Sequence, residues 1–241
     1  MFKIYDAIIP VGIGCTISFH LKKNGLREYA LPFDWIYGIT INKAYSLIES
    51  SFQGFLDKDN LKFSYICGIH NVYSNTELNI NFVHDFPQNP SSKINISDQV
   101  FAEVKRKYDR RIKRLYEILN TKKKILFIHY SEGACPEDII SLERNRLNLC
   151  KIFPQLKIDI LYIYTKNTLN KKIEKINKHI YLVPMPIPDN LSPENRWIGN
   201  SKQFKLIFKK FTTNTKMKGR IFNFFKIKNK KMLVDNNSFN N

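Results

Sequence analysis

The chain has 241 residues, 43% of them hydrophobic and 13% aromatic, with 39 Lys and Arg against 21 Asp and Glu for a formal net charge of +18. This excludes a disordered or fibrous chain and fits one globular domain with a sizeable core. No apolar run is long enough to span a bilayer, and the basic excess points to anionic partners without any motif for specific nucleic-acid recognition.

The four cysteines, Cys15, Cys67, Cys135 and Cys150, lie at no metal-ligand spacing. They are expected as free thiols, and neither a metal nor a cofactor is expected. The first ten residues carry an early acid, Asp6, and an early proline, Pro10. They read as a strand and not as a signal peptide, so a cytoplasmic location is expected.

Residues 3–11 form a first expected strand, apolar and continuous enough to be buried on both faces. It stops at Gly12-Ile13-Gly14, and Cys15 follows at the head of an expected helix over 16–23 that ends at Asn24-Gly25. Residues 26–35 are loop, because Pro32 disfavours helix at Leu31. A short helix over 42–49, capped by Asn42, continues its apolar face into Phe52, Phe55 and Leu56. Residues 63–86 read as a β-hairpin turning at Ser74-Asn75. Its second arm alternates, with Leu78, Ile80, Phe82 and His84 on the apolar face and Val83 and Asp85 on the other. Loop follows over 87–92.

Ser97-Asp98 caps a long expected helix over 99–119, striped by Val100, Val104, Tyr108, Ile112, Leu115 and Leu119 among many basic residues. A buried strand over 124–130, a helix over 136–153, a strand over 158–165, a basic helix over 169–177 and a strand over 179–184 come next. A proline-rich loop over 185–192 leads to a last helix over 203–211. The alternation of buried strands and helices predicts an α/β fold: a Rossmann-like three-layer core with a mostly parallel sheet and an inserted β-hairpin. Residues 1–212 are expected as one domain. Residues 213–241 are expected as a basic, partly helical tail ending in disorder, whose 213–231 stretch suits an anionic membrane surface, peripheral at its inner face, as well as it suits packing on the domain.

The chemistry concentrates at Cys15. A thiol at a helix N-terminus has its thiolate favoured, and Gly12 and Gly14 allow close backbone approach. Cysteine–histidine catalysis also needs an imidazole in reach and a group to orient it. All five histidines, His20, His70, His84, His129 and His179, are considered; His20, on the same helix as Cys15, has a surface or packing role in this reading. His84, with Asp85 beside it, and His129, at the C-terminal edge of a buried strand where α/β proteins bind ligands, both remain candidates. Asp34 is a second candidate orienter. Arg27 and Trp35 flank it in sequence, and Arg110 and Arg111 are a pair suited to phosphate or carboxylate.

The stretches V-G-I-G-C, L-K-K-N-G-L-R, L-P-F-D-W-I, F-V-H-D-F, K-Y-D-R-R-I-K-R-L and K-I-L-F-I-H resemble a bacterial family of unknown function described as papain-like cysteine peptidases, over residues 5–200. The resemblance implies Cys15 as nucleophile and His84 as base, with Arg27, Pro32, Phe33, Asp34, Trp35 and Asp85 around them and Arg110 and Arg111 in its pattern. The expected function is a cysteine hydrolase or acyl transferase acting on a small-molecule, glycan or peptide substrate. A surface-polysaccharide enzyme, such as a glycosyltransferase holding a phosphorylated sugar donor at residues 12–15, is the alternative.

Overall fold

The computed structural model describes residues 2–12, 14–88, 95–133, 138–166, 172–186 and 197–217. The chain is mixed α/β, with a mostly parallel sheet beside an antiparallel one. The expected first strand divides at Asp6. Its first part, β1 (Lys3–Tyr5), pairs in parallel with the last strand, β11 (Phe211–Thr213). The second part, β2 (Ala7–Gly12), is wholly buried and forms one edge of the main sheet. The Asp6 carboxylate accepts from the backbone N–H groups of Lys123 and Lys124, which fixes the point of division.

The main sheet runs β2, β7 (Lys124–Ser131), β8 (Lys157–Thr165), β10 (Ile180–Met185) and β9 (Glu174–Lys175); all pairs are parallel except β9 with β10. Residues 174–175, expected as helix, are therefore an antiparallel edge strand; residues 167–171 lie outside the described residues. Alternate side chains of β7 and β8 feed two cores. Leu126, Ile128, Leu161 and Ile163 pack with α1 (Thr16–Lys23) and α5 (Ser201–Lys210). Ile125, Phe127, Ile158 and Ile160 pack with α2 (Ile41–Glu49), α3 (Asp98–Thr121) and α4 (Ile139–Ile152). Each fully buried Leu, Ile or Phe contributes about 1.5–3 kcal/mol by transfer from water. The four parallel strands follow one another in chain order, without the reversal that opens a ligand crevice over the middle of doubly wound sheets. The Rossmann-like expectation holds only at this coarser level.

The expected hairpin is larger than two arms. β4 (Leu61–Cys67), β5 (His70–Asn75) and β6 (Ile80–Pro87) form a meander, and the two-residue β3 (Ile36–Tyr37) joins it in the order β3-β6-β5-β4. This is a second, antiparallel sheet packed through Ile80, Phe82 and Phe86 into the core shared with α2 and α3. The helix caps follow side-chain chemistry: Thr40, not Asn42, accepts from Lys43 N at α2, Ser97 caps α3 and Asp138 caps α4. Of the expected tail, 213 belongs to β11 and 218–241 lies outside the described residues, as do 89–94, 134–137 and most of the proline-rich loop.

Candidate active site

The site forms where the edge of the parallel sheet meets the antiparallel one. Gly14 has φ +86, a backbone conformation that side chains rarely adopt, and a Cβ there would lie 3.6 Å from the Tyr37 ring. Its N–H donates to Ile36 O at 3.2 Å, joining the end of β2 to β3. Cys15 then occupies the N-cap of α1, but its side chain makes no cap bond. The thiol is turned instead toward β6, where Sγ lies 3.1 Å from His84 Nε2.

His84 reaches this position through a bulge. Between the pairs Asn71–Phe86 and Tyr73–Phe82, β5 advances two residues while β6 advances four. The expected alternation breaks there: Phe82 and Phe86 both stay buried, His84 is exposed and Asp85 is turned inward. The placement of His84 on the apolar face is thus corrected. An extra residue in a strand re-aims its neighbours and strengthens the local twist.

Neither expected carboxylate reaches His84. Asp34 is fully buried and accepts from Ser18 Oγ at 2.7 Å, from Leu31 N at 3.0 Å, and from Arg27 Nε and Nη2 at 3.0 and 2.5 Å. It ties the helix that bears Cys15 to the 26–35 loop. Trp35, next along, has φ +67 and stands perpendicular to the His84 ring with centroids 6.2 Å apart, while the Arg27 guanidinium lies 5.7 Å from the indole. A tryptophan in this region of φ/ψ space is strained by about 1–3 kcal/mol and persists only where its surroundings impose it. Asp85 accepts from Tyr108 Oη at 2.7 Å and pairs with Lys107 Nζ at 2.5 Å. The other edge of His84 faces His70, perpendicular at 5.7 Å.

The electrostatics differ from the sequence expectation. Burial pushes the Cys15 thiol up to about 12, and Cys67, Asp85 and Asp34 add to the rise. A favoured thiolate was expected from the helix terminus; desolvation and two carboxylates outweigh it. His84, exposed as a residue but with its ring partly desolvated against its neighbours, lies below its usual value, because that desolvation disfavours the imidazolium and His70 and Lys107 oppose it, against Asp85. Both shifts favour the neutral thiol and the neutral imidazole.

The remaining expected residues divide. Gly12 pairs with Tyr130 at the end of β2. Arg110 is exposed on α3, and Arg111 lies along the same helix with its guanidinium 5.2 Å from the Tyr108 ring. His129 is corrected: it has no exposed surface, packs 4.5 Å from the Tyr162 ring and is pushed down to about 3 by burial, so it is a neutral core residue. His20 is also core, its Nε2 2.6 Å from Ile198 O. Sequence reasoning gave His70, Tyr37, Tyr108 and Lys107 no part. Tyr108 was counted only as a member of an apolar stripe. His70 opens the strand that pairs beside residues 86–87, and cross-strand register, had it been drawn, would have placed it near His84. Among the described residues no cluster of His, Cys, Asp and Glu is arranged to hold a metal.

No solved structure matches the chain. An uncharacterized protein of Acanthamoeba polyphaga mimivirus is 29% identical over 135 residues, which cover 50% of this chain and 59% of that protein. The chain therefore spans less than two thirds of that relative, which is viral where the sequence suggested a bacterial family. A family match covers residues 6–167, more than half of the chain and the whole of the site just described, and by it the chain belongs to the family described as "Putative papain-like cysteine peptidase".

Proposed function

We propose that the protein is a cysteine hydrolase or acyl transferase in which Cys15 is the nucleophile and His84 the base. The observation that supports this reading is the 3.1 Å approach of Sγ, at the N-cap of α1, to Nε2 on β6 of the antiparallel sheet. Hydrogen-bond reach between nucleophile and base is the geometric requirement for such a pair.

The steps follow from a neutral resting pair. Sγ attacks the carbonyl carbon of a peptide or ester as Nε2 takes the thiol proton, so the thiolate exists only while the bond forms. The N–H groups of Thr16 and Ile17 open α1 without intrahelical acceptors and are the donors for the oxyanion; the Gly14 N–H is already bonded to Ile36. The imidazolium returns the proton to the leaving amine or alcohol, which departs as the thioester forms. Water, losing its proton to His84, or an acceptor alcohol or amine, then releases the acyl group and restores the thiol.

Asp34 acts through the loop it clamps: with Arg27 and Ser18 it holds Trp35 against His84, and is a positioning residue. Asp85 sets the bulge through Tyr108 and Lys107. Tyr37 and Tyr65, both exposed, offer aromatic surface for an apolar part of the substrate.

The test is acylation. Incubation with p-nitrophenyl acetate followed by intact-mass and peptide mass spectrometry is expected to place one acetyl group on Cys15. Cys15→Ala should carry none, and His84→Ala should acquire it far more slowly. Acylation elsewhere, or equal rates in wild type and His84→Ala, would overturn the assignment.

A further inference from the structure

At the far end of α1 from Cys15, about 12 Å along the helix axis, lies a hollow of about 530 Å³. Five lysines line it: Lys22 and Lys23 from the last turn of α1, Lys205 and Lys209 from α5, and Lys216 from just beyond β11. Its apolar floor, Leu26 and Phe208, is buried. No acidic residue lines it, and among the described residues none of the five lysines ion-pairs with a carboxylate.

Basic residues at helix C-termini offset the dipole. That accounts for Lys22, Lys23 and Lys209 one by one. It does not account for Lys205, one turn earlier and four residues before Lys209, where two like charges on one helix face repel. Nor does it account for Lys216. The Nζ of Lys216 sits 2.7 Å from where a Cβ of residue 25 would be, and residue 25 is a glycine at φ +64. The loop thus leaves room for an ammonium group directly over the hollow. Five positive charges gathered in one concavity repel one another unless an anion neutralises them.

We propose that this hollow binds an oligophosphate anion, two or more adjacent phosphate groups carried together. Ammonium groups bind phosphate as point charges, and several flexible ones close around a compact polyanion better than around a single carboxylate. The volume lies within the range of small-molecule sites. The shared chemistry has two sources, a free oligophosphate or the phosphorylated headgroup of a lipid. The site does not depend on the Cys15 reading, since it is remote from the thiol and its test reads binding alone.

The experiment is calorimetric titration of the full chain with inorganic triphosphate at low salt, beside flotation with neutral-lipid vesicles carrying phosphatidylinositol bisphosphate. Two double variants are compared: Lys205→Gln with Lys209→Gln, and a control of equal charge change on exposed helix positions elsewhere, Lys113→Gln with Lys151→Gln. The expected result is saturable one-to-one binding of at least one probe, weakened about tenfold by the hollow pair and unchanged by the control pair. Binding of triphosphate identifies the free anion as the source; binding of the vesicles alone identifies the headgroup. Failure of both probes, an equal loss in the two double variants, or stronger binding of single-stranded RNA through the same lysines would overturn the proposal.

Discussion

Among the described residues two histidines lie within hydrogen-bond reach of an ionisable side chain, one near the C-terminal ends of the parallel strands and one near their N-terminal ends. His84, from the antiparallel sheet, meets a thiol at the C-terminal end of β2. His179, just before β10, places Nδ1 2.8 Å from Asp159 Oδ1, near the start of β8. The second pair has the carboxylate that the first lacks, yet that carboxylate is already shared among three donors. Asp159 also accepts from Lys3 Nζ and Tyr5 Oη, both at 2.8 Å, so it pins β1 to the main sheet. A histidine–carboxylate contact is therefore no marker of catalysis by itself. What separates the two places is a thiol that makes no cap bond, an exposed imidazole delivered by a bulge, and a strained tryptophan beside it.

The largest difference between the two is expected in rate. His84→Ala should lower turnover of an activated ester by about 10²–10⁴-fold, and Cys15→Ala should abolish it, with melting temperatures close to wild type because Cys15 and His84 support little of the core. His179→Ala should leave the rate unchanged. A comparable loss in the His179 variant would dissolve the distinction.

The next difference is in stability. Asp34→Ala removes the acceptor of the half-buried Arg27 guanidinium and of two further donors, Ser18 Oγ and Leu31 N, and should cost about 3–5 kcal/mol in denaturant unfolding. Asp159→Asn keeps the volume and loses a charge, at about 1–3 kcal/mol. The pH dependence carries a sign. Burial pushes the Asp159 carboxyl up, but hydrogen bonds from Lys3, His179 and Tyr5 outweigh it and hold it below its usual value of 3.8. A carboxyl depressed in the folded state contributes stability above its unfolded value and loses it as pH falls through the folded one. The wild type should accordingly lose stability below about pH 4 more steeply than Asp159→Asn; parallel curves would mean the network contributes nothing through ionisation.

These residues also show what a sequence discloses. His84, expected at a strand end, lies inside β6, whereas Cys15 at the head of a helix after a glycine turn was legible because it obeys a local rule. The division of the first strand was not, since nothing local says that residues 3–5 will pair with 211–213. That His84 would stand near Cys15 was an expectation the geometry meets, but its exposure was not legible. Strict alternation puts it inside, and the bulge that turns it out depends on Asp85 finding Tyr108 and Lys107 on a helix distant in sequence. The same long-range partners misled the electrostatic reading. A helix N-terminus lowers a thiol pKa locally, whereas burial and the surrounding acids, supplied by tertiary packing, raise it.

That reversal yields the most delicate test. An activated thiolate–imidazolium pair would alkylate with iodoacetamide at a rate already level below pH 7. A neutral pair behaves differently: the thiolate fraction keeps growing toward a value of about 12, so the Cys15 rate should climb through pH 9 to 10, about tenfold per unit, with no plateau at lower pH. Catalysis is expected to depart from alkylation, because it needs only a neutral imidazole to receive the proton. With His84 held below its usual value of 6.5, ester turnover should stay level from neutral pH downward until below that value and fall only as the ring protonates. A plateau in alkylation below neutrality would restore the ion pair. Turnover that tracks the alkylation curve upward would show the thiolate forming before substrate binds, and would remove His84 from the role of base during attack.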